Sequence, residues 1–469
     1  MRLTLLFLIL SSTLLAQELT LSGTVVSAPE GTPLTGAYVY PKTDPGRVVV
    51  TDGEGQFSLA LAQPDTLMVS YLGYQELRRF VEASGKIQLT LRPSAAASIE
   101  ALTVRARRIR DGELASERIG QMDIYLNPAA KADPLLAVNT LPAATNPDET
   151  ANVSFRGSPT AATGVYLNEV PIRSAVRIDQ SNGVGQFSIF GQIPMREVQV
   201  YPSSPPVNFS QTSAGAVGLY TSTDLPTKRE YGLSLSMAGM GLAHNRPLGK
   251  KSGVRMYLNY SNLSAFRFAN QQGLPELQRS RAVDGAVQFV SQPSQRTDVQ
   301  FFYLGFRESY RFTTRTPYYT GDFEQEKPRH LAVLNWRWRG DKWTWRFNQS
   351  ADWERATFQL GNIQTIPRRF TGHLATHGRY ERDGFSLQVG AALNHYDDFV
   401  NGTFPLVDYE LRPEDPAGSY QQTTNHQLAE VYAYGQWRLG EDWLLGAGIK
   451  PVTELAKGNI YPTVQAALR

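Results

Sequence analysis

Strict two-residue alternation of apolar and polar side chains runs through the second half of this sequence and limits its fold more than any other feature. Leu334, Trp336 and Trp338, for example, alternate with Asn335 and Arg337. Because successive side chains of a strand point to opposite faces, this pattern predicts strands with one apolar and one polar face. Runs of about nine to eleven such residues are typical of strands that cross a membrane around a polar interior.

The connections between these strands differ in length in a regular way. Short turns are predicted at residues 294–297, 340–342, 382–384 and 440–442, and longer connections near residues 269–281, 313–329, 360–368 and 399–426. Short turns on one side and long loops on the other are typical of a transmembrane barrel, whereas alternation alone would also fit a soluble sandwich. About eleven strands are predicted in residues 226–469, half of the roughly 22 that close a plugged barrel, so an incomplete barrel is expected.

The N-terminus predicts secretion. Arg2 precedes an apolar run over residues 3–10, and Ala16 is a small residue before the expected cleavage point, which together indicate a signal peptide over residues 1–16. The chain has no cysteine, which excludes disulfides, thiolate metal sites and a lipid anchor on cysteine. Its 46 basic and 43 acidic residues are interspersed and leave a net charge of +3, which argues against a nucleic-acid partner.

Residues 17–93 contain short β-rich runs separated by turn signals, which predicts a small β-sandwich. The runs carry Gly-x-Val, Pro-x-x-Gly-Ala-x-Val, Thr-Asp-x-x-Gly-x-Phe and Gly-Tyr motifs, and in this they resemble the carboxypeptidase-regulatory-like domain. Asp52 and Glu54, in the third motif, are either calcium ligands or members of a hairpin turn. Gly53 and Gly55 beside them favour the turn.

Residues 112–225 predict a small mixed domain, because short β-rich runs are separated there by glycine, proline and serine clusters. A short amphipathic helix is expected after Asp133, which caps it, with Pro134 in the first turn and Pro142 beyond its end. Such caps and prolines are usual at helix boundaries.

Four β-strand motifs follow one another in this domain. They are the Phe155-Arg156-Gly157 strand, a strand over residues 164–172 in which Asn168-Glu169 replaces the usual Asp-Gly, a strand over residues 193–201, and a glycine-rich strand within residues 206–222. Their order resembles that of the plug domain of TonB-dependent outer-membrane receptors. The resemblance implies a mainly β fold with a small N-terminal β-sandwich, an α+β plug domain and an antiparallel transmembrane β-barrel.

Residues 94–111 link the sandwich to the plug, and their position and composition resemble a TonB box. The box residues are Glu100, Ala101, Leu102, Thr103 and Val104. An extended segment with Leu102 and Val104 on one side can add an edge strand to a partner's sheet. The alternatives are the last strand of the sandwich or a linker. The arginines that follow are interpreted as a solvated linker, because no aromatic residue separates them.

Four plug residues are candidate site residues: Phe155, Arg156, Gly157 and Glu197. An arginine inside a barrel must be paired, because desolvating it alone is costly, so Arg156 either holds the plug to the wall or contacts substrate. Glu197 is a candidate partner for a barrel arginine. His373 and His377 share one face of a strand, where polar lumen side chains are favoured over two metal ligands.

The resemblance implies energised import of a scarce solute, such as a siderophore, vitamin, glycan or peptide, across the cell outer membrane. The expected partners are a TonB-type inner-membrane energy-transducing complex, outer-membrane lipid, the small solute and a surface lipoprotein. No nucleic acid, cofactor or metal is expected. The alternative is a non-transporting surface-binding or adhesion protein anchored by the barrel. The sequence contains no catalytic motif, so no enzyme activity is expected.

Overall fold

A computed structural model shows the chain as two compact units, Met1–Arg105 and Ala106–Arg469. It describes residues 19–28, 31–44, 46–61, 63–71, 74–92, 117–145, 150–179, 184–191, 193–203, 205–209, 212–237, 239–269, 276–315, 319–439 and 443–468. The predicted signal peptide and the predicted TonB box lie outside the described residues. Within the described part of the chain, no helix is both long enough and apolar enough to cross a bilayer.

The first unit is a β-sandwich, as predicted. Its strands are β1 (Leu19–Ser27), β2 (Tyr38–Pro41), β3 (Val49–Val50), β4 (Gln56–Leu61), β5 (Asp65–Ser70), β6 (Leu77–Val81) and β7 (Gly85–Leu91). They form one sheet in the order β4-β1-β7 and a second in the order β3-β2-β5-β6. Leu21 and Leu89 of the first sheet and Val39 and Leu67 of the second belong to one buried core, which explains why the two sheets pack together.

A hairpin turn holds the acidic pair of this unit. The Asp52 carboxylate oxygen Oδ1 accepts hydrogen bonds from the backbone N–H of Glu54 at 3.0 Å and of Gln56 at 2.8 Å. Gly55 has a φ of 71°, a left-handed conformation that glycine adopts without steric cost. The predicted turn is therefore confirmed.

The plug is an α+β domain inside the second unit. Its elements are β8 (Glu117–Gly120), α1 (Gln121–Leu126), α2 (Pro134–Asn139), β9 (Thr163–Leu167), β10 (Val170–Ile172), β11 (Val176–Asp179), β12 (Gly185–Ser188), β13 (Met195–Tyr201) and β14 (Gly215–Thr221), with 3₁₀ turns at Pro128–Ala130 and Thr160–Ala162. Five strands form a sheet in the order β10-β9-β14-β13-β8, and β11 and β12 form a separate hairpin.

Asp133 fixes the start of α2, as the sequence predicts. Its Oδ1 accepts hydrogen bonds from the backbone N–H of Leu135 at 2.9 Å and of Leu136 at 3.2 Å. Its Oδ2 accepts a third, from the backbone N–H of Ser188 at 2.7 Å, and so ties the helix to the end of β12. The Asp133 side chain is 1% exposed. If it were removed, the three backbone N–H groups would lose their acceptor at a place that water does not reach.

Asp133→Ala is therefore expected to lower the free energy of unfolding of the plug by about 1–3 kcal/mol, combining a lost N-cap with an unsatisfied buried N–H. Hydrogen exchange of the α2 backbone measures the change. Asp341→Ala is the matched control, because the Asp341 side chain is 84% exposed in a short turn. An equal effect of the two substitutions on α2 would contradict the capping role.

The remaining strands form one large antiparallel sheet. They are β15 (Glu230–Ser236), β16 (Gly239–Pro247), β17 (Ser252–Asn262), β18 (Leu277–Ser294), β19 (Thr297–Arg315), β20 (Thr320–Arg339), β21 (Trp343–Arg355), β22 (Thr357–Leu360), β23 (Ile363–Arg382), β24 (Phe385–Pro405), β25 (Ala417–Leu439), β26 (Trp443–Glu454) and β27 (Asn459–Leu468), with α3 (Ser264–Ala269) between β17 and β18. Each pairs with the next, and the short β22 extends β21 between β20 and β23. The edges are β15 and β27, so the described residues form an incomplete barrel, as predicted.

The short turns at residues 294–297, 340–342 and 382–384 are confirmed, and residues 440–442 lie outside the described part of the chain. Three of the predicted long connections are wrong. Most of residues 313–329, 360–368 and 399–426 belong to strands, because β19, β20, β23, β24 and β25 extend to between 19 and 23 residues. Apolar–polar alternation disappears there because both faces are polar: the buried face of β20 carries Lys327 and Arg329, and the opposite face carries Glu324 and Glu326.

The plug packs against the inner face of this sheet, which we call the wall. The plug side chains of Leu167, Val170 and Phe190 and the wall side chains of Phe302 and Leu331 belong to one buried apolar core. Hydrogen bonds from the plug reach wall strands from β17 to β27. Because one small domain contacts so many strands, the sheet curves around it.

Candidate functional site: the plug–wall interface

The turn between β9 and β10 brings an acidic side chain to the wall. Asn168 and Glu169 both have left-handed conformations, with φ values of 49° and 71°. Two consecutive positive φ values match the tight turn that joins antiparallel strands. The Asn168 side chain fixes the turn, since its Nδ2 donates to Thr221 Oγ1 and its Oδ1 accepts from the Thr221 N–H, both at 3.0 Å. Glycine is usual in such a conformation, so a glutamate there is strained.

The Glu169 carboxylate is held by three wall side chains. Arg346 Nη1 donates to Oε1 at 2.7 Å, Asn348 Nδ2 donates to Oε2 at 3.3 Å, and His377 Nε2 lies 2.9 Å from Oε2. Burial by itself raises the pKa of the Glu169 carboxyl, but the positive Arg346 and the contacts with His377 and Asn348 outweigh it and lower the pKa to about 2. Glu169 is therefore a buried anion at neutral pH.

A second contact is made by Arg177, on β11. Its Nη2 donates to Asp284 Oδ1 at 2.6 Å and its Nε donates to Glu308 Oε2 at 3.1 Å, and its guanidinium lies 5.3 Å from the centroid of the Phe306 ring. The Arg177 side chain is 11% exposed and that of Glu308 2%. Burial lowers the pKa of Arg177, but the Glu308 and Asp284 carboxylates outweigh that effect and raise it. The plug therefore inserts a permanent positive charge between two wall carboxylates.

Two wall cations reach in the opposite direction, to the plug backbone. Lys327 Nζ lies 3.5 Å from the carbonyl oxygen of Val176 and 3.3 Å from Glu308 Oε1. Arg329 donates to the carbonyl oxygen of Ser174 and makes two hydrogen bonds to Asp352, at 2.9 and 2.6 Å. Both cations thus bind the segment that leads into β11.

The charges in this part of the interface balance. Three cations, Arg177, Lys327 and Arg329, are buried, and a fourth, Arg369, is 41% exposed and pairs with Glu354 at the edge of the group. The four anions are Asp284, Glu308, Asp352 and Glu354. A buried charge is tolerated only when it is paired and hydrogen-bonded, so removal of the one plug member leaves a surplus of negative charge on the wall. We call these eight residues the buried ion network.

Contacts of two glutamines and a lysine of the wall complete the interface. Gln288 and Gln300 of the wall both donate to Thr221 Oγ1 at the end of β14. On the far side, Lys450 Nζ donates to the carbonyl oxygens of Val207 and Phe209, each at 3.1 Å. The plug is therefore held at several separate places on the wall.

The predicted plug-motif residues lie together in one turn, within the plug rather than at the wall. Phe155 is 1% exposed in the plug core, and Arg156 and Gly157 follow it with φ values of 51° and 73°. The exposed Arg156 donates from Nη2 to the carbonyl oxygen of Pro202 at 2.6 Å. This bond joins two plug segments, so the expected link from Arg156 to the wall is replaced by a link inside the domain. A role in substrate contact stays a prediction.

Glu197 also differs from the expectation. Its Oε1 accepts hydrogen bonds from Gln199 Nε2 at 2.7 Å and from Arg196 Nη2 at 3.1 Å, both on its own strand β13. Glu197 is a candidate partner for a barrel arginine in the sequence analysis, but its hydrogen bonds in the structure are made within its own strand. The plug glutamate that binds a wall arginine is Glu169, which binds Arg346.

The two histidines face the interior, as favoured from the sequence. His373 Nδ1 lies 2.7 Å from Asn394 Oδ1, and His377 contacts Glu169. Among the described residues, no group of three or more histidine, cysteine, aspartate or glutamate side chains is arranged to hold a metal ion.

Sequence reasoning missed Glu169 and Arg177 as interface residues, together with the wall side chains that bind them. A partial signal was present in the wall: Lys327 and Arg329 lie two positions apart on a strand, so they share a face. Asp322, Glu324 and Glu326 repeat at the same spacing on the opposite face of β20, so the spacing alone does not show which face meets the plug.

Comparison with known proteins agrees with this architecture. Residues 21–104 match the CarboxypepD_reg-like domain. Among curated proteins, none matches this chain by sequence. The ferric yersiniabactin uptake receptor FyuA from Yersinia pestis has a similar structure, with a TM-score of 0.55 and 15% identity over 76% of this chain and 61% of that chain. The chain has the fold of a TonB-dependent outer-membrane receptor.

Two further solved structures share this receptor fold. A mutant of the ferric enterobactin receptor PfeA from Pseudomonas aeruginosa has a TM-score of 0.51 and 12% identity over 75% of this chain and 58% of that chain. The outer-membrane transporter YddB from Escherichia coli has a TM-score of 0.52 and 10% identity over 74% and 57%. The chain thus spans about three fifths of the length of the receptors it matches.

Proposed function

We propose that this chain acts as a TonB-dependent receptor, which imports a small solute across the outer membrane with energy from an inner-membrane complex. The observation that supports this function is the buried ion network between plug and wall. Breaking one buried ion pair costs about 3–5 kcal/mol, and Arg177 of the plug makes two, with Asp284 and Glu308 of the wall. Lys327 and Arg329 of the wall add hydrogen bonds to the plug backbone. A plug held in this way stays in place unless work is done on it from outside.

The predicted TonB box is the place where that work would be applied. Residues 100–104 come shortly before β8 in the sequence, and an extended segment of this kind binds a partner by adding a strand to its sheet. In this proposal, an energy-transducing protein pairs with the box and pulls, and the resulting force separates plug from wall.

Deletion of residues 100–106 tests the proposal. The names of FyuA and PfeA say that they take up or receive ferric yersiniabactin and ferric enterobactin, so growth under iron limitation is the first condition to compare, followed by growth on single polysaccharides. One of these conditions should be found in which a strain that lacks the whole gene grows slowly. In that condition, the strain that lacks only residues 100–106 is expected to grow equally slowly. Solute binding at the cell surface should persist, because the plug and wall are intact.

Deletion of residues 93–99 is the matched control, since it shortens the linker by the same length and leaves the box in place. It should preserve growth. Normal growth of the strain without residues 100–106 would contradict energised import and favour the surface-binding or adhesion alternative. Equal defects in both deletion strains would show that linker length, rather than the box sequence, is what matters.

A further inference from the structure

The outward face of the wall carries the side chains that alternate with the buried ion network. On β21, Asp352 and Glu354 face the plug, so Trp353 and Arg355 between and after them face away from it. On β23, Phe370 and Arg368 face outward in the same way. These outward residues would meet lipid if the sheet lies in a membrane, as the proposed function requires.

Aromatic residues mark two levels on this outward face. Near the short turns lie Trp338 and Trp345, and at the other level Trp353 is paired directly with Phe370. From Trp345 to Trp353 the strand advances eight residues, or about 26 Å at roughly 3.3 Å per residue. Tilted strands therefore place the two aromatic levels about 20 Å apart, close to the roughly 25 Å apolar band of a membrane barrel with its two aromatic girdles.

An arginine pair lies immediately beyond the second level. Arg355 and Arg368 are directly opposite each other on β21 and β23, one outward position past Trp353 and Phe370, and both are exposed. Like charges placed directly opposite each other destabilise a sheet. The Arg368 guanidinium lies 5.5 Å from the centroid of the Phe399 ring, which positions it but does not neutralise it.

The pair lacks an anion within the described protein. Across the described residues, neither Arg355 nor Arg368 forms an ion pair with a carboxylate, although Asp397 lies on the same outward face. Arg311 and Arg279, also on the outward face, are different: Arg311 binds Asp322 and Glu324, and Arg279 lies 3.6 Å from Glu324. Arg355 and Arg368 are therefore two adjacent outward positive charges that no carboxylate of the described residues neutralises.

We propose that Arg355 and Arg368 together bind the phosphate of a membrane lipid. Guanidinium groups bind phosphate oxygens with two parallel hydrogen bonds, and the acyl chains would lie along Trp353 and Phe370 below them. The short turns of such barrels face the periplasm, so the pair lies at the cell-surface boundary and its ligand belongs to the outer leaflet. The location depends on the proposed function, but the phosphate chemistry does not.

The test is lipid binding to the full chain purified in detergent micelles, measured by native mass spectrometry with diphosphoryl lipid A and with phosphatidylcholine as separate probes. The wild-type chain should retain lipid A. The double substitution Arg355→Gln and Arg368→Gln should bind it about thirtyfold more weakly, or about 2 kcal/mol, at about 1 kcal/mol for each basic residue near anionic lipid. Phosphatidylcholine has no net charge, because its choline group neutralises its phosphate, so its binding should be the same in both.

Arg279→Gln with Arg311→Gln is the matched control, because it removes two outward positive charges that carboxylates already neutralise. It should leave lipid A binding unchanged. Equal lipid A binding by the Arg355→Gln, Arg368→Gln chain and the wild type overturns the proposal, as does an equal loss in the control. If inorganic phosphate displaces lipid A completely, the acyl-chain part is wrong. Uptake is not measured, so failure here is separate from failure of the proposed import.

Discussion

Arg177→Gln is expected to release the β11–β12 hairpin of the plug from the wall at a cost of about 3–5 kcal/mol, because it leaves the buried carboxylates of Asp284 and Glu308 without their plug partner. Lys327 neutralises only one of those two charges. Hydrogen exchange of the β11 and β12 backbone in the purified full chain measures the loss, since protection there reports local opening.

Arg173→Gln is the control for this substitution. Arg173 also pairs with a wall carboxylate, Asp398 at 2.7 Å, but its side chain is 40% exposed. Exposed pairs contribute about 0–1 kcal/mol, so the hairpin should keep its protection. Adding Asp284→Asn to Arg177→Gln should recover part of the loss, because it removes the carboxylate that Lys327 does not neutralise. Equal deprotection by Arg173→Gln and Arg177→Gln would contradict a special role for the buried network.

Local patterns in the sequence predicted the elements well wherever two faces of a strand meet different environments. Trp336 is 44% exposed on the outward face and its neighbour Asn335 donates to the plug, so alternation there reflects a real difference between the outward face and the face toward the plug. Asp133 predicted the start of α2 because capping involves atoms only two or three residues away. Both features depend on nearby residues alone.

The candidate site depends on contacts between distant residues, and one sequence does not contain that information. Arg177 and Asp284 are 107 positions apart, and Glu169 and Arg346 are 177 apart. Choosing the right pair requires knowledge of how the plug is rotated within the wall. The charge of Arg156 suggests a contact with the wall or with substrate, whereas its left-handed backbone turns the side chain toward Pro202.

The Asn168-Glu169 turn departs from the Asp-Gly usual in the plugs that this domain resembles, and this departure predicts that the contact between plug and wall depends on pH. The pKa of Glu169 is lowered to about 2 from an ordinary value of 4.5. A carboxyl with a lowered folded-state pKa stabilises the fold fully above its unfolded pKa and loses that contribution as the pH falls toward the folded value. The contribution, about 3 kcal/mol for a shift of this size, should therefore disappear between about pH 4.5 and about pH 2.

Glu169→Gln removes the charge and keeps the side-chain size, so it should weaken the plug by about 3 kcal/mol at neutral pH and abolish the Glu169 part of this acid dependence. Hydrogen exchange of the β9 and β10 backbone, measured at neutral pH and near pH 2, gives both the loss of stability and its dependence on acid. Because Arg346 is left without its anion, the loss should be larger than for an exposed carboxylate such as Asp341.

Glu169→Gly separates the ion pair from the backbone strain. It removes the same carboxylate but allows the left-handed φ of 71° without a steric penalty, so it should be about 1 kcal/mol less destabilising than Glu169→Gln. If glycine is instead as stable as the wild type at neutral pH, the pairing with Arg346 and His377 contributes nothing beyond offsetting the strain. If glycine and glutamine are equally damaging, the turn is not strained. The expected order of plug stability is wild type first, then Glu169→Gly, then Glu169→Gln. This order requires that the ion pair of Glu169 stabilises the plug by more than the strained backbone destabilises it.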